Sequence, residues 1–429
     1  MNKYERYKKV NLPWLKEIPN HWCIDKTKRF SENKKEINKG NRERNILSLT
    51  LKGVVKNNIE NPNGLTPESY ETYQIFEKND LVFKLIDLEN IKTSRVGIVE
   101  ENGIMSSAYI RLVFGSSIYP KYVYYYFFKL YIEQVYNNLG SGVRSTMNSD
   151  DLRDILLPIP PIKEQVQIAN YLDWKINEID RLIQIEKEKI KQLNQTMQIS
   201  INSRYKILNL EDETNKGVKI KYLANQITQH KGEYRRYIAL ENIISQKGMM
   251  KISFDNLEFN SDGISVEKNM VIFGKLRPYL AKTIVVENKA VCSSEFLVLN
   301  PIKLMPLYLK YLMLSSKFID LVDSSTYGTK MPRANSDFIL NLKIVVPDLS
   351  EQKKVVEKIL ESENRINKVI EVIIKKIESM ENLKQSLISE VVTGQIDVRD
   401  IAIPEYEKVA IADGEIEETD EMEGKEYGN

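Results

Sequence analysis

Two long stretches of the chain carry apolar residues at alternating spacings of four and three. In the first these are Leu172, Ile176, Ile179, Ile183, Ile190, Leu193 and Met197, with Glu186 filling one slot. In the second they are Ile359, Ile366, Ile370, Ile373, Ile377, Met380 and Leu387, with Glu363 and Lys384 as polar slots. The positions between are mostly Lys, Glu, Gln and Asn. A seam of this period predicts two long helices, about 162–205 and 349–393. Neither helix buries its stripe alone, so the simplest expectation is that the two pair as an antiparallel coiled coil. A helix of roughly 40 residues spans about 60 Å.

Ahead of each helix the pattern changes to short apolar runs bounded by turn residues, which read as strands. They are Ile46–Leu49, Asp80–Phe83 and Tyr109–Val113, then Tyr237–Leu240, Met270–Phe273 and Glu295–Leu299. Pro120–Tyr131 and Pro306–Ser316 read as aromatic-rich helices with proline in the first turn. Leu157-Pro158-Ile159-Pro160-Pro161 and Ile344-Val345-Val346-Pro347 precede the long helices, and proline is expected to break the strand there.

These two series are one series repeated. Asn148-Ser149-Asp150 recurs as Asn335-Ser336-Asp337, Glu164-Gln165 as Glu351-Gln352, Pro160 as Pro347 and Ser106-Ser107 as Ser293-Ser294, all at an offset of 187. Upstream the offset drifts: Tyr122 to Tyr308 at 186, Lys78-Asn79 and Phe83 to Lys268-Asn269 and Phe273 at 190, Leu49 to Leu240 at 191. Loop insertions between repeated strands produce such a drift, and chance does not produce a collinear set. The predicted class is α+β, with two tandem α/β domains separated and followed by long helices, as a pseudo-twofold internal repeat. The boundaries are 1–155, 156–205, 206–342, 343–400 and an acidic, disordered tail at 401–429. Two globular parts at opposite ends of such a spacer would stand more than one DNA turn apart, about 34–36 Å.

Composition narrows the class. The 429 residues are 42% hydrophobic and 28% charged, as in a globular protein of two or three domains. No apolar run reaches the ~18–20 residues of a membrane span. The charged stretch Met1–Val10 has no signal-peptide core, and two cysteines, Cys23 and Cys292, cannot build a disulfide framework, so a cytoplasmic protein is expected. The net charge of +2 conceals an asymmetry: 403–429 holds ten acidic residues against two lysines, so the rest of the chain carries +10. A basic body suits a polyanion partner, although many proteins are this basic.

Catalytic patterns are missing. Gly140-Ser141-Gly142 lacks a third glycine and opens no Rossmann helix; there is no Walker A run and no Asn/Asp-Pro-Pro-Tyr/Phe site of the amino-methyltransferase kind. His21 and His230 are the only histidines, neither within a motif, and His21 reads as a surface residue beside Trp22. With the two cysteines they do not space as a zinc site, so neither a catalytic nor a metal site is expected.

The combined pattern resembles the specificity subunit of Type I restriction–modification enzymes. Carrying the likeness are Leu157-Pro-Ile-Pro-Pro-Ile-Lys-Glu-Gln165, Val346-Pro-Asp-Leu-Ser-Glu-Gln352, Trp14-Leu-Lys-Glu-Ile-Pro-Asn-His-Trp22 and Val392-Thr-Gly-Gln-Ile-Asp397, and it spans about 10–400. The resemblance implies that the globular parts are target-recognition domains, each reading half of a bipartite double-stranded DNA site. It implies that the helices fix the spacer length and dock two methylation subunits, which bring S-adenosylmethionine and flip adenines from the duplex. Two restriction subunits with ATP and Mg would join them, and this chain would hold no cofactor and be non-catalytic. A restriction enzyme with catalysis on the same chain would need a methyltransferase motif, and none is present. A coiled-coil scaffold without DNA would not need a basic body.

The DNA-contact candidates are basic residues in loop-like stretches. In the first half they are Lys34, Lys35, Lys39, Arg42 and Arg44, then Lys92 and Arg95, and Arg144 in the glycine turn. In the second they are Lys231, Arg235 and Arg236, then Lys275 and Arg277, and Lys330 and Arg333. The stretches 34–44 and 231–236 stand just before equivalent strands; Arg144 and Lys330/Arg333 flank equivalent glycine turns. The plain alternative for any one of them is a solvated surface charge. Met105 and Cys292, with the serines that follow them, and the tyrosines at 122–126 read as packing, and Trp174 as a helix–domain contact.

Overall fold

The computed structural model describes the chain apart from residues 1, 52, 58–68, 87, 89–94, 140–145, 206–216, 231, 233, 327–330 and 410–429. It divides into two compact units, Met1–Ile185 with Lys376–Asn429, and Glu186–Lys375. The units therefore cut across both long helices, Ile162–Asn202 and Leu349–Val392, and the first unit is discontinuous in sequence.

Each unit is built around a four-stranded antiparallel sheet of the same order. In the first unit the order is Ser31–Asn33, Ile110–Phe114, Leu81–Lys84, Arg95–Ile98. In the second it is Ala224–Ile227, Phe296–Pro301, Val271–Gly274, Thr283–Val285. The registers repeat as well: Phe83 faces Ile110 as Phe273 faces Leu297. A second layer repeats a parallel pairing, Ile46 with Ile104 and Tyr237 with Val291. Sequence duplication is thus a duplication of hydrogen-bond register.

The inner strands are apolar throughout because both faces are covered. Leu81 and Phe83 enter one core with Tyr122 and Phe127, whereas Val82 enters another with Leu47, Leu49, Phe76 and Met105. In the second unit Val271 and Phe273 join Tyr308 and Phe318, and Ile272 joins Ile238 and Cys292. Side chains alternate across a strand, so one run of three apolar residues serves two cores. Met105, Cys292, Tyr122, Tyr125 and Tyr126 are buried, as packing residues should be. Trp174 is half-buried with the Lys175 ammonium 3.7 Å from its ring centroid.

The repeated motifs have local jobs. The Asn148 side chain accepts from Asp150 N (2.8 Å) and Asp151 N (3.0 Å) and caps the helix Ser149–Asp154; Asn335 caps Ser336–Asn341 in the same way. Gln165 accepts from Tyr119 N (2.8 Å) and donates to Pro160 O (2.8 Å). Its repeat, Gln352, accepts from Met305 N (2.9 Å) and donates to Pro347 O (3.0 Å). Both glutamines are 1% exposed and tie the aromatic helix to the start of the long one.

Every predicted seam position is withdrawn from water. Leu172, Ile179, Ile183, Ile359 and Ile373 are buried, and Ile176, Ile190, Leu193, Ile366, Ile370, Ile377 and Met380 are half-buried. In the first unit Ile176, Ile179 and Ile183 share one core with Ile377, Met380 and Leu387. In the second, Met197 and Ile201 share one with Val356 and Ile359. The polar slots have partners: Lys384 Nζ lies 2.8 Å from Asp180, Glu363 accepts from Tyr311 Oη, and Glu186 receives Lys189 Nζ at 2.9 Å.

The end of the second long helix meets the start of the chain. Asp397 N donates to Asn2 O (2.9 Å), Gln395 Nε2 to Glu17 O (3.3 Å), and the Arg399 guanidinium lies 4.9 Å from the Tyr4 ring centroid. Gly394 closes this helix at φ +74, and a Cβ there would stand 2.5 Å from Pro19, so glycine is required twice over.

The strand Leu156–Ile159 ends before Pro160, as expected, with Pro158 inside it facing Ile24 in a two-stranded sheet, where an edge tolerates a missing N–H. Three expectations change. The helix from Pro306 stops at Leu314, and a separate helix follows at Ser316–Ser324. His21 is more than a surface residue: its Nε2 lies 2.8 Å from the buried carboxylate of Glu164, which also accepts from Tyr4 Oη and Trp22 Nε1. Residues 401–409 of the acidic segment are anchored. Ile401 and Ile403 pack on the first core, Gln167 Nε2 donates to Ile401 O (2.7 Å), and Asn177 bonds Glu407 O and Val409 N.

Candidate nucleic-acid interface

In the second unit the main chain gathers three of the predicted cations. Leu276 pairs with Arg333 in an isolated bridge, Arg277 N donates to Pro332 O (2.8 Å) and Ala334 N to Lys275 O (2.9 Å). Lys275 and Arg333 thereby stand near one carboxylate, Glu295, which receives Arg333 Nη2 and whose backbone carbonyl accepts from Lys275 N, while Arg277 is exposed next to them on the same main-chain bridge. Burial, reinforced by the Arg333 charge, pulls the Lys275 ammonium below its ordinary pKa. A phosphate placed there would reverse that shift, since an anion favours the charged form. Arg277 is held in the left-handed region at φ 50, as is Ala281 at φ 46, bracketing the short turn Pro278–Leu280. Non-glycine residues held there store strain, which clusters at binding sites. Exposed Tyr279 and Met331 flank the cluster in sequence.

Arg235 and Arg236 belong to the other sheet, where Arg235–Ile238 pairs with Phe259–Asn260 and Ala290–Cys292. Arg235 lies 3.8 Å from Glu267, and Arg236 donates to Leu257 O. Lys231 and Lys330 lie outside the described residues.

In the first unit the basic stretch 34–44 hangs on Asn38, which sequence reasoning missed. Its side chain is fully buried, donates to Glu43 O (3.0 Å) and accepts from Glu43 N (3.0 Å). Gly40 and Asn41, both at positive φ, turn the loop. Lys35, Lys39 and Arg44 are exposed and form no ion pair among the described residues, whereas Lys34 lies 3.5 Å from Glu77 and Arg42 lies 3.0 Å from Glu36. Lys92 and Arg144 fall outside the described residues, as does the side chain of Arg95, whose backbone opens the strand Arg95–Ile98. The flanks of those two loops do meet: Met147 N donates to Leu85 O (3.2 Å), the repeat of the Ala334–Lys275 bond. Asparagine at 38 and a carboxylate at 295 carry no periodic mark, so only the fold reveals them.

Among the described residues no three His, Cys, Asp or Glu side chains gather to hold a metal ion, and no helix is long and apolar enough to cross a membrane.

Comparison with known proteins fits this duplicated geometry. Residues 15–195 and 199–379 each match the family described as the Type I restriction modification DNA specificity domain. The chain belongs to this family. It carries two specificity domains in tandem, so the internal repeat and the family assignment coincide. The specificity subunit of the Type I restriction enzyme MjaVIII from Methanocaldococcus jannaschii is 23% identical over 336 residues, 70% of this chain and 76% of that protein. The EcoDI specificity subunit from Escherichia coli is 23% identical over 140 residues, 32% of this chain and 31% of that one. A solved chain from a study of complex assembly and conformational transition in a type I R-M system shares the fold. Its TM-score is 0.63 at 11% identity, with 88% of this chain and 99% of that chain covered.

Proposed function

We propose that this chain is the DNA-specificity subunit of a Type I restriction–modification system and reads an asymmetric, bipartite site, one half-site per unit. The observation that carries this reading is one scaffold, duplicated to the hydrogen-bond register, with different basic residues at equivalent loops. Lys275, Arg277 and Arg333 serve the second half; the exposed cations at 35, 39 and 44 serve the first. Phosphate contacts fix register on the duplex, and a few side chains in the groove distinguish bases.

In this reading the chain does no chemistry and works in the cytoplasm. Two methylation subunits supply S-adenosylmethionine, and two restriction subunits supply ATP- and Mg-dependent translocation and cleavage. The long helices pair as an antiparallel coiled coil, set the spacer and dock the methylation subunits. The shared cores of the two helices and the Asp180–Lys384 ion pair support that pairing.

The test is single-molecule methylome sequencing of the host with the gene intact and deleted. Loss of one gapped methyladenine motif is expected. An unchanged methylome, with an active methylation partner present in the same cells, overturns the reading.

A further inference from the structure

One exposed feature of the second unit lies outside the Lys275–Arg333 cluster. Tyr234 and Phe259 stack at 5.4 Å between ring centroids with 21° between planes, yet both stand in solvent, 72% and 47% exposed. The Arg236 guanidinium lies 4.3 Å from the Phe259 ring centroid, and its donation to Leu257 O fixes it there. The pairing of Arg236 with Phe259 across the two strands sets the platform on the edge of the sheet. Arg235, the neighbouring strand residue, lies on the opposite face with its guanidinium 3.8 Å from Glu267.

A ring pair of this size at the surface keeps apolar area in water, whereas aromatic side chains are ordinarily drawn into a core or an interface. Among the described residues of the first half the corresponding ring pair is Tyr70–Tyr73, which meets edge to face at 5.2 Å and 84° and stands half-buried beside Asn38. At the offset of 191 that relates these strands, Tyr234 corresponds to Glu43 and Arg236 to Asn45. Glu43 is turned inward on its own loop, accepting from Arg44 N and Asn45 N at 2.8 Å. Neither Tyr234 nor Arg236 is thus part of what the two copies share. The Arg236 guanidinium suits a polyanion, and an open aromatic face beside a guanidinium is the ordinary means of stacking a nucleobase.

We infer that Tyr234, Phe259 and Arg236 form a stacking platform for an unstacked nucleobase in the DNA bound by the second unit, with Tyr234 presenting the contacting face. This rests on the DNA-reading function proposed above. It gives the second half a contact for a base that has left the duplex stack at a position where the first half carries Glu43.

The experiment compares the full-length chain, purified with any subunit that accompanies it, with the variants Tyr234→Ala and Tyr234→Phe. Fluorescence anisotropy measures binding to a labelled duplex with one unpaired adenine and to the same duplex fully paired. The wild type is expected to prefer the bulged duplex by about 5- to 100-fold, the range for one base–aromatic stack. Tyr234→Ala should lose that preference and Tyr234→Phe keep it, all three unfolding at the same temperature. Equal preference in Tyr234→Ala and the wild type overturns the platform while leaving the DNA-reading function standing. Failure of the wild type to bind either duplex overturns that function and the platform with it.

Discussion

Arg333 owes its place to a main-chain bridge and its charge environment to Glu295. Sequence reasoning singled out Lys275, Arg277 and Arg333 as basic residues in loop-like stretches. It could not bring them together, because pairing between residues some 57 apart leaves no periodic signature. Held by the main chain, with Glu295 as the partner of Arg333, they would meet a phosphate under the proposed function. Arg277→Ala and Arg333→Ala should each weaken DNA binding about equally across sequences. Each should also lower the slope of log affinity against log salt by about 1, as a lost phosphate contact does. An unchanged slope with relaxed preference at one motif position would instead make that arginine a base reader. Asn38 shows the converse: a fully buried amide organises the basic loop of the first unit, yet an asparagine between charged residues reads as surface.

At the scale of elements, the heptad seams were the most legible feature, because burial of one helical face imposes a period. Ile162–Asn202 and Leu349–Val392 match the predicted helices to within three residues. Proline punctuation was legible too: Leu156–Ile159 ends before Pro160, and Pro158 is tolerated inside because that strand pairs on one side only. Acidity, by contrast, concealed the anchoring of 401–409, where isoleucines two apart supply the apolar contacts. The Glu-Gln motif that opens both long helices was visible as a repeat but not as a latch. Gln352→Ala would leave the Met305 N–H and the Pro347 carbonyl without this partner in a half-buried setting. Such groups cost about 1–3 kcal/mol each when unmet. A drop in unfolding free energy of that order is expected in urea denaturation, and likewise for Gln165→Ala at Tyr119 and Pro160. No loss in either variant would show that water replaces the latch.

For the whole molecule, the repeat includes the junction of each long helix with the globular part beside its end. Ile388, at the close of the second long helix, is the repeat of Ile201, and both are buried in the unit that follows or closes there, at 1% and 2% exposed. What Ile201 does before the second globular part, Ile388 does beside the first. A circular permutant joining residue 409 to residue 2 by a flexible glycine-serine linker, and opened between Tyr205 and Val218, keeps both junctions and the anchored segment 401–409. It should unfold within a few degrees of the parent and restore the same methyladenine motif to a deletion strain. A permutant that folds but restores no motif would mean that the original order of the chain matters to assembly. The duplication itself was legible from a handful of collinear residues, whereas the division into units that cut through both helices was not, because no composition change marks residues 185 or 375.

The discontinuous first unit also sets an order of events at the ribosome. Chains are made from the amino end, and domains generally fold as units when their residues have emerged. Here the contiguous second unit, Glu186–Lys375, is complete while the first still lacks Lys376 onward. The part synthesised first is thus finished last, and until Leu387, Ile388 and Val391 arrive its core faces water where they belong. A message cut short after residue 375 would yield one finished half and one with an open core, a product that protein quality control recognises and removes.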